Sequence, residues 1–327
     1  MTSELWIKLA VMLMVAAVGW GAGRTRLLGG ADTVQAVSNL AFYLFTPALL
    51  FRTTARLDFH TMPWGTLLAF FGPAVGWLLI VYAFNKWRAR TRSAAPMTEP
   101  ALPAVRAVTA SFGNTLQIGL PFVAAVYGDA GLSIHVTIIS LHALTLLTLA
   151  TLLAELDIAR AAHRTGQGAA LLVTLGQTAK STLIHPVILP VLAGLIWNLA
   201  GLPLWPLLDA GLQSLGAAVV PVCLVLIGLS LAHYGVGGAV SGALALVLGK
   251  MLFMPALVLL VGHWLLGQSG VPLAVIVMAA ALPVGTNPLL FAQRYRAQEA
   301  QTTAAIVIST LAFVVIAPLW LMVLARV

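Results

Sequence analysis

Charge is what this chain has least of. Only 8% of its 327 residues are charged, whereas 61% are hydrophobic. Soluble domains carry about 25% charged residues, so a soluble globular fold is excluded. Cysteine is nearly absent too: Cys223 stands alone in an apolar run and can form no intramolecular disulfide. The nine carboxylates, Asp58 among them, all fall at the ends of apolar runs or between them. Cation antiporters and proton pumps usually bind and release their ion through buried acids. That chemistry is therefore disfavoured, while sodium held by backbone carbonyls stays open. The chain has no Walker loop, no Gly-x-Ser-x-Gly, no zincin motif and no Cys/His cluster. No catalytic residue, metal site or cofactor is predicted. The net charge of +8 does not mark a nucleic-acid partner, because the basic residues lie between apolar spans, where they set topology.

Long hydrophobic runs are what is there. About 20 apolar residues cross a bilayer. Ten candidate spans appear: 5–22, 34–51, 64–84, 104–127, 132–153, 181–199, 207–231, 240–266, 271–292 and 302–324. The polar stretch from 155 to 170 is read as the connection between a first five-helix unit, 1–154, and a second, 171–327. Five helices per unit, an odd number, make the second enter from the opposite side, so the repeats are inverted. Matched interruptions (Pro47 with Pro221, Pro121 with Pro288) support this. Between spans, Arg24, Arg26, Lys86, Arg88, Arg90, Arg92, Arg160, Arg164, Arg294 and Arg296 share one side, against Lys8, Arg52, Arg56 and Arg326. The bias predicts both termini outside, and Arg106 and Lys180 agree with it. Glu4, Lys8 and the lack of a small-x-small site predict that the first span is retained. The proline-rich 94–103 reads as an inner loop, and Gly235–Gly238 as a turn.

Two spans carry breaks. In Leu282-Pro-Val-Gly-Thr-Asn-Pro288 two prolines flank a glycine inside a membrane-grade run. Each proline removes an amide donor and its ring clashes with the preceding turn. Irregular backbone at bilayer depth survives only where protein buries it or where it lines a wet cavity. A discontinuous ninth helix is predicted, with Thr286 and Asn287 offering polar groups. In the fourth span Gly113, Asn114, Gln117, Gly119 and Pro121 make a counterpart. Such a pair at corresponding places in two halves points to a transporter binding site. Two kinked packing helices are the alternative.

Lys250 stands near the middle of the eighth span with apolar residues on both sides. A lysine there costs about 2.5–3.5 kcal/mol on insertion scales. It is read as facing the site, where it supplies the positive charge an anionic substrate needs on losing its hydration. Snorkelling is the alternative. His142 is read as a neutral histidine hydrogen-bonded to a neighbouring helix, with proton coupling the alternative. His135 and His185 are read as structural.

The wording Phe112-Gly-Asn-Thr-Leu-Gln-Ile-Gly-Leu-Pro121, Lys250 followed by Pro255, and Ala281-Leu-Pro-Val-Gly-Thr-Asn-Pro288 with Phe291-Ala-Gln-Arg-Tyr295 resembles the auxin efflux carrier family over essentially the whole chain. Among its members the bacterial malonate carriers are the most similar in the ninth span. The resemblance implies an all-α membrane protein of ten transmembrane helices whose fourth and ninth, both broken, cross. It implies a dimerising scaffold of helices 1, 2, 6 and 7, a homodimer, and a transport domain of helices 3–5 and 8–10. It places the protein in a bacterial inner membrane and makes Asn114, Pro121, Pro283, Asn287 and Pro288 crossover residues. The expected function is alternating-access transport of a small organic anion such as malonate, with proton or sodium coupling possible in principle. Asn114, Gln117, Pro121, Lys250, Pro283, Thr286, Asn287 and Pro288 are the expected substrate-binding residues. A cation-coupled exporter of a neutral or aromatic compound, or a non-transport membrane scaffold, are the competing readings.

Overall fold

The computed structural model describes residues 3–25, 30–56, 63–92, 99–164, 188–234 and 240–327. Arg26, Asp58, Lys180, His185, Gly235–Gly238 and residues 94–98 of the inner loop lie outside the described residues. Within them the chain is all-helical and contains no strand. The helices are α1 Ser3–Arg24, α2 Ala31–Leu40, α3 Thr46–Ala55, α4 Trp64–Arg92, α5 Leu102–Thr109, α6 Leu120–Arg164 and α7 Ile188–Leu199. They continue with α8 Pro206–Ala217, α9 Val219–Tyr234, α10 Val240–Leu248, α11 Met254–Leu259, α12 Gly270–Ala281, α13 Asn287–Tyr295 and α14 Glu299–Leu324. The polar stretch after residue 154 begins as helix, since α6 runs on to Arg164.

Among the described residues, five helical rods are long and apolar enough to cross a membrane: Asp32–Ala55, Trp64–Ala89, Thr137–Ala162, Val240–Leu265 and Glu299–Leu324. Leu189–Leu199 and Gly270–Ala281 are shorter apolar helices. The expected fourth and ninth spans fall short because they are broken. α5 has 8 residues, α12 has 12 and α13 has 9, all under the roughly 20 that a crossing needs.

Four of these rods carry a proline without breaking, Pro73 and Pro318 inside regular helix and Pro47 and Pro255 after a π turn. Widened π turns at Ala41–Phe45 and Gly249–Phe253 each lead straight into a proline, Pro47 or Pro255. Proline cannot donate to the carbonyl four residues earlier, and a local π adjustment relieves its ring clash. The carbonyl orphaned by Pro255 is that of Met251, and Trp320 Nε1 donates to it at 2.9 Å.

Small residues set which rods touch. Lipid supplies no hydrophobic drive between helices, so close backbone approach decides the pairing. α1 lies along α9 and α3 along α7. A Cβ on Gly19 would come within 2.9 Å of the Val225 Cα, and one on Gly228 would be driven into the α1 backbone at Ala16 and Trp20. A Cβ on Gly194 would strike the Phe51 carbonyl at 2.6 Å. Asn198 Nδ2 ties α7 to the Ala55 carbonyl at 2.9 Å, and Arg52 and Arg56 hold Asp209 of α8 at 2.8 and 3.1 Å. The remaining helices, α4–α6 and α10–α14, pack mainly on one another. At one end of this group Asp157 is buried but satisfied by Lys86, by Tyr82 Oη at 2.7 Å and by Arg160 at 3.3 Å.

Candidate functional site

The two interrupted stretches meet. Phe112–Asn114 and Pro283–Gly285 run antiparallel, with Gly113 bridged to Val284. The Asn114 amide donates to the Pro283 carbonyl at 2.8 Å and the Gly285 amide to the Phe112 carbonyl at 2.9 Å. Glycine is required where the chains touch. A Cβ on Gly285 would sit 2.9 Å from both the Gly113 carbonyl oxygen and Phe112 Cδ1, and one on Gly113 would sit 3.3 Å from the Ala279 oxygen.

Broken backbone in a membrane must find its partners inside the protein, and here the neighbouring helices provide them. The outward-turned Gly113 amide donates to His142 Nε2 of α6 at 3.1 Å. Its counterpart, the Val284 amide, donates to Ser309 Oγ of α14 at 3.0 Å. Beyond the end of α5, Trp77 Nε1 of α4 donates to the Ala110 carbonyl at 2.9 Å. At the end of α12, Lys250 Nζ donates to the Ala280 carbonyl and, at 3.0 Å, to that of Leu282. A helix C-terminus carries about half a negative charge, so this ammonium sits where the local field favours it. Lys250 is fully buried, with Nζ only 3.4 Å from where a Gly113 Cβ would lie.

Beside the crossing lies a cavity of about 100 Å³, room for several waters or an anion of a few heavy atoms. Asn114, Thr115, Thr286 and Asn287 line it from the crossing, Thr46 and Thr53 from α3, and His142 from α6. Phe112, Leu49, Leu50, Ile139 and Val219 form its apolar walls. No carboxylate is among the lining residues. His142 Nε2 accepts from Gly113, so its proton sits on Nδ1. That nitrogen and Thr46 Oγ1 have no partner among the described residues. Buried polar groups normally pair with protein or water; the residues that carry these two atoms line the cavity, while the atoms themselves are shielded from it. The chain after each crossing enters helix again: α13 starts at Asn287, and the π turn Thr115–Gly119 leads into α6. Both positive helix ends therefore border the cavity.

A family model described as membrane transport protein, that of the auxin efflux carriers, matches residues 5–321. The chain belongs to this family. No curated protein matches it. As a member, it is a membrane transporter and an integral membrane protein.

Within this auxin efflux carrier chain the sequence-predicted residues separate into four sets. Asn114, Thr286 and Asn287 come together at the cavity. Pro283 and Pro288 are buried in the crossing, the first as carbonyl acceptor and the second within the first turn of α13, where a missing amide costs nothing. Gln117 lies on the π turn and Pro121 at the start of α6. Lys250 is set behind the crossing and is not among the residues lining the cavity. Thr46, Thr53, Thr115 and Val219 were not singled out from sequence. Thr46 alone had a local signal, because it precedes the interrupting Pro47.

Proposed function

We propose that the protein moves a small organic anion, malonate or a related carboxylate, across the membrane by alternating access. The cavity carries this reading, because two half-helix N-termini and the polar residues Asn114, Thr286 and Asn287 border it with no carboxylate opposing them. Burying an unpaired carboxylate in a membrane is prohibitive. Each helix N-terminus offers about half a positive charge, the arrangement used by broken-helix transporters. Asn114, Thr286 and Asn287 contact the substrate, with Gln117 following on the same π turn, while Pro121, Pro283 and Pro288 shape the break. Lys250 adds a full positive charge one layer behind, reaching the anion as field rather than as contact.

Ten spans in two inverted repeats accord with the partner pattern. Under that symmetry the third, fourth and fifth helices correspond to the eighth, ninth and tenth. Trp77 and Lys250 then do the same task for their own half's break, as do His142 and Ser309. Pairing the first helix with the seventh maps onto pairing the sixth with the second, which are the α1/α9 and α3/α7 contacts. The scaffold of helices 1, 2, 6 and 7 dimerises, and the cavity lies where α3 and Val219 of that scaffold face the crossing. Both termini lie outside a bacterial inner membrane.

Uptake of labelled malonate, malate and indole acetate into proteoliposomes tests this. Carboxylate flux is expected, and Asn287→Ala is expected to cut it at least tenfold with unaltered thermal unfolding. Absence of flux for any carboxylate in either direction overturns the proposal.

A further inference from the structure

A second cavity, of about 600 Å³, lies between α4, α5 and α10 and reaches the first break only at Ala110. Its size falls in the roughly 300–1,000 Å³ range of ligand pockets. One wall is carved by small residues, since Gly242, Ala245 and Gly249 recur along α10. Those glycines matter: a Cβ on Gly249 would reach 2.9 Å from Trp77 Cζ2, and one on Gly242 would collide with the Gln301 amide. At one end the Trp77 and Phe253 rings stack, centroids 6.0 Å apart and 4° from parallel. The mouth opens on the lipid-facing surface, where Ile80 and Phe253 are 56% and 62% exposed.

The other end is basic. Arg88 and Arg106 both line the cavity and lie close enough to repel each other. Neither forms an ion pair among the described residues. Arg106 is steadied only by neutral amide oxygens, those of Gln301 at 2.9 Å, Asn85 at 3.0 Å and Gln298 at 3.5 Å. The nearby carboxylate, Glu99, acts on Arg106 but is held by Gln298 at 3.1 Å and does not line the cavity. Two guanidinium groups at one end of an aromatic slot that opens between exposed apolar side chains are complementary to one kind of molecule.

We infer that this groove is a binding site for an anionic glycerophospholipid of the leaflet on the basic side. Its phosphate pairs with Arg88 and Arg106, and one acyl chain lies along Gly242, Ala245 and Gly249 toward the Trp77–Phe253 stack. Basic pockets between transmembrane helices take acidic headgroups in this way. Arginine's fork suits phosphate better than a point charge does.

The full chain in mild detergent, titrated with phosphatidylglycerol, with phosphatidylcholine of the same acyl chains, and with glycerol 3-phosphate, provides the test. Native mass spectrometry reads retained lipid, and thermal unfolding reads stabilisation. Phosphatidylglycerol is expected to be retained at one per chain and to stabilise more than the other two. Arg88→Gln, at an exposed position, is expected to weaken retention about fivefold, equivalent to about 1 kcal/mol. Ala245→Leu, which fills the groove from an exposed position, is expected to weaken it at least as much. Equal retention of phosphatidylcholine overturns the headgroup assignment, and equal stabilisation by glycerol 3-phosphate overturns the acyl slot. Unchanged phosphatidylglycerol binding in both variants overturns the site.

Discussion

The two breaks pose one problem and receive different answers. In the first half the freed groups meet neutral partners: an indole for the Ala110 carbonyl and an imidazole for the Gly113 amide. In the second half an ammonium holds two carbonyls and a hydroxyl holds the Val284 amide. Gly113 of the first break lines the cavity beside the crossing, whereas Val284, Ala280 and Leu282 line neither cavity. Water can therefore stand in for a partner lost at Gly113 and not for one lost at Val284. The second stretch reaches the same cavity only further on, through Gly285, Thr286 and Asn287.

The largest effect expected from this difference is at Lys250. Lys250→Met keeps the stem and relieves the cost of burying a charge. It also strands two carbonyls, each at about 1–3 kcal/mol when left unsatisfied in the interior. The net expectation is a loss of about 2–4 kcal/mol, seen as a large drop in the thermal unfolding midpoint in detergent, together with lost uptake. Lys250→Arg retains a donor but must fit a fork where there is little room, and should fall between. A wild-type midpoint for the methionine variant would show that α12 does not depend on the lysine.

Next in size is the contrast between the two glycines. An alanine at Gly285 drives its methyl to 2.9 Å from a backbone oxygen of the opposite chain, which cannot retreat without breaking the bridge. Overpacking of this kind costs about 1–3 kcal/mol. An alanine at Gly113 meets its nearest atoms at 3.3 and 3.4 Å and needs a shift of only a few tenths of an ångström. Uptake and unfolding should both suffer more from Gly285→Ala. Equal losses would mean that the crossing is no tighter from one side than from the other.

How far these sites could be read from sequence follows from the same chemistry. The second break was legible because proline announces a missing donor wherever it stands, and Pro283 with Pro288 sit in an apolar run where the alternative was a kinked packing helix. Asn114, Thr286 and Asn287 followed, being the polar residues beside the two breaks. The direction Lys250 faces was not legible. In a helix apolar on all sides no stripe marks which face meets which neighbour, and a lysine can answer a substrate anion or a helix C-terminus equally well. Thr46 and Thr53 were hidden for another reason. Threonine is ordinary in membrane helices, and only the packing of α3 against the crossing sets these two beside the cavity. The half-helices of the expected fourth and ninth spans are each too short to register as a crossing.

A smaller effect separates the two amide acceptors. Ser309→Ala leaves the Val284 amide dry and unpaired, and about 1 kcal/mol is expected, in line with hydrogen bonds measured between membrane helices. His142→Ala removes the matching acceptor from Gly113 but enlarges the adjoining cavity, so a water can take the bond. Its stability loss should be the lesser of the two, while its effect on uptake should be the greater, because His142 borders the cavity and Ser309 does not. Hydrogen exchange at the two amides checks this: Val284 should lose protection in Ser309→Ala more than Gly113 does in His142→Ala.

The smallest effect belongs to Trp77, and it tests the comparison most directly. Trp77→Phe deletes the Nε1 donor to the Ala110 carbonyl and leaves an aromatic ring to stack on Phe253. Only one neutral hydrogen bond is lost, at a single carbonyl. A neutral hydrogen bond contributes about 0.5–1.5 kcal/mol net, less than the two carbonyls stranded by Lys250→Met. The unfolding midpoint should move by a fraction of the shift seen for Lys250→Met. If Trp77→Phe costs as much as Lys250→Met, neither charge nor dryness distinguishes the halves. The two residues would then be equal props under one symmetric crossing, with the ammonium adding nothing that an indole does not.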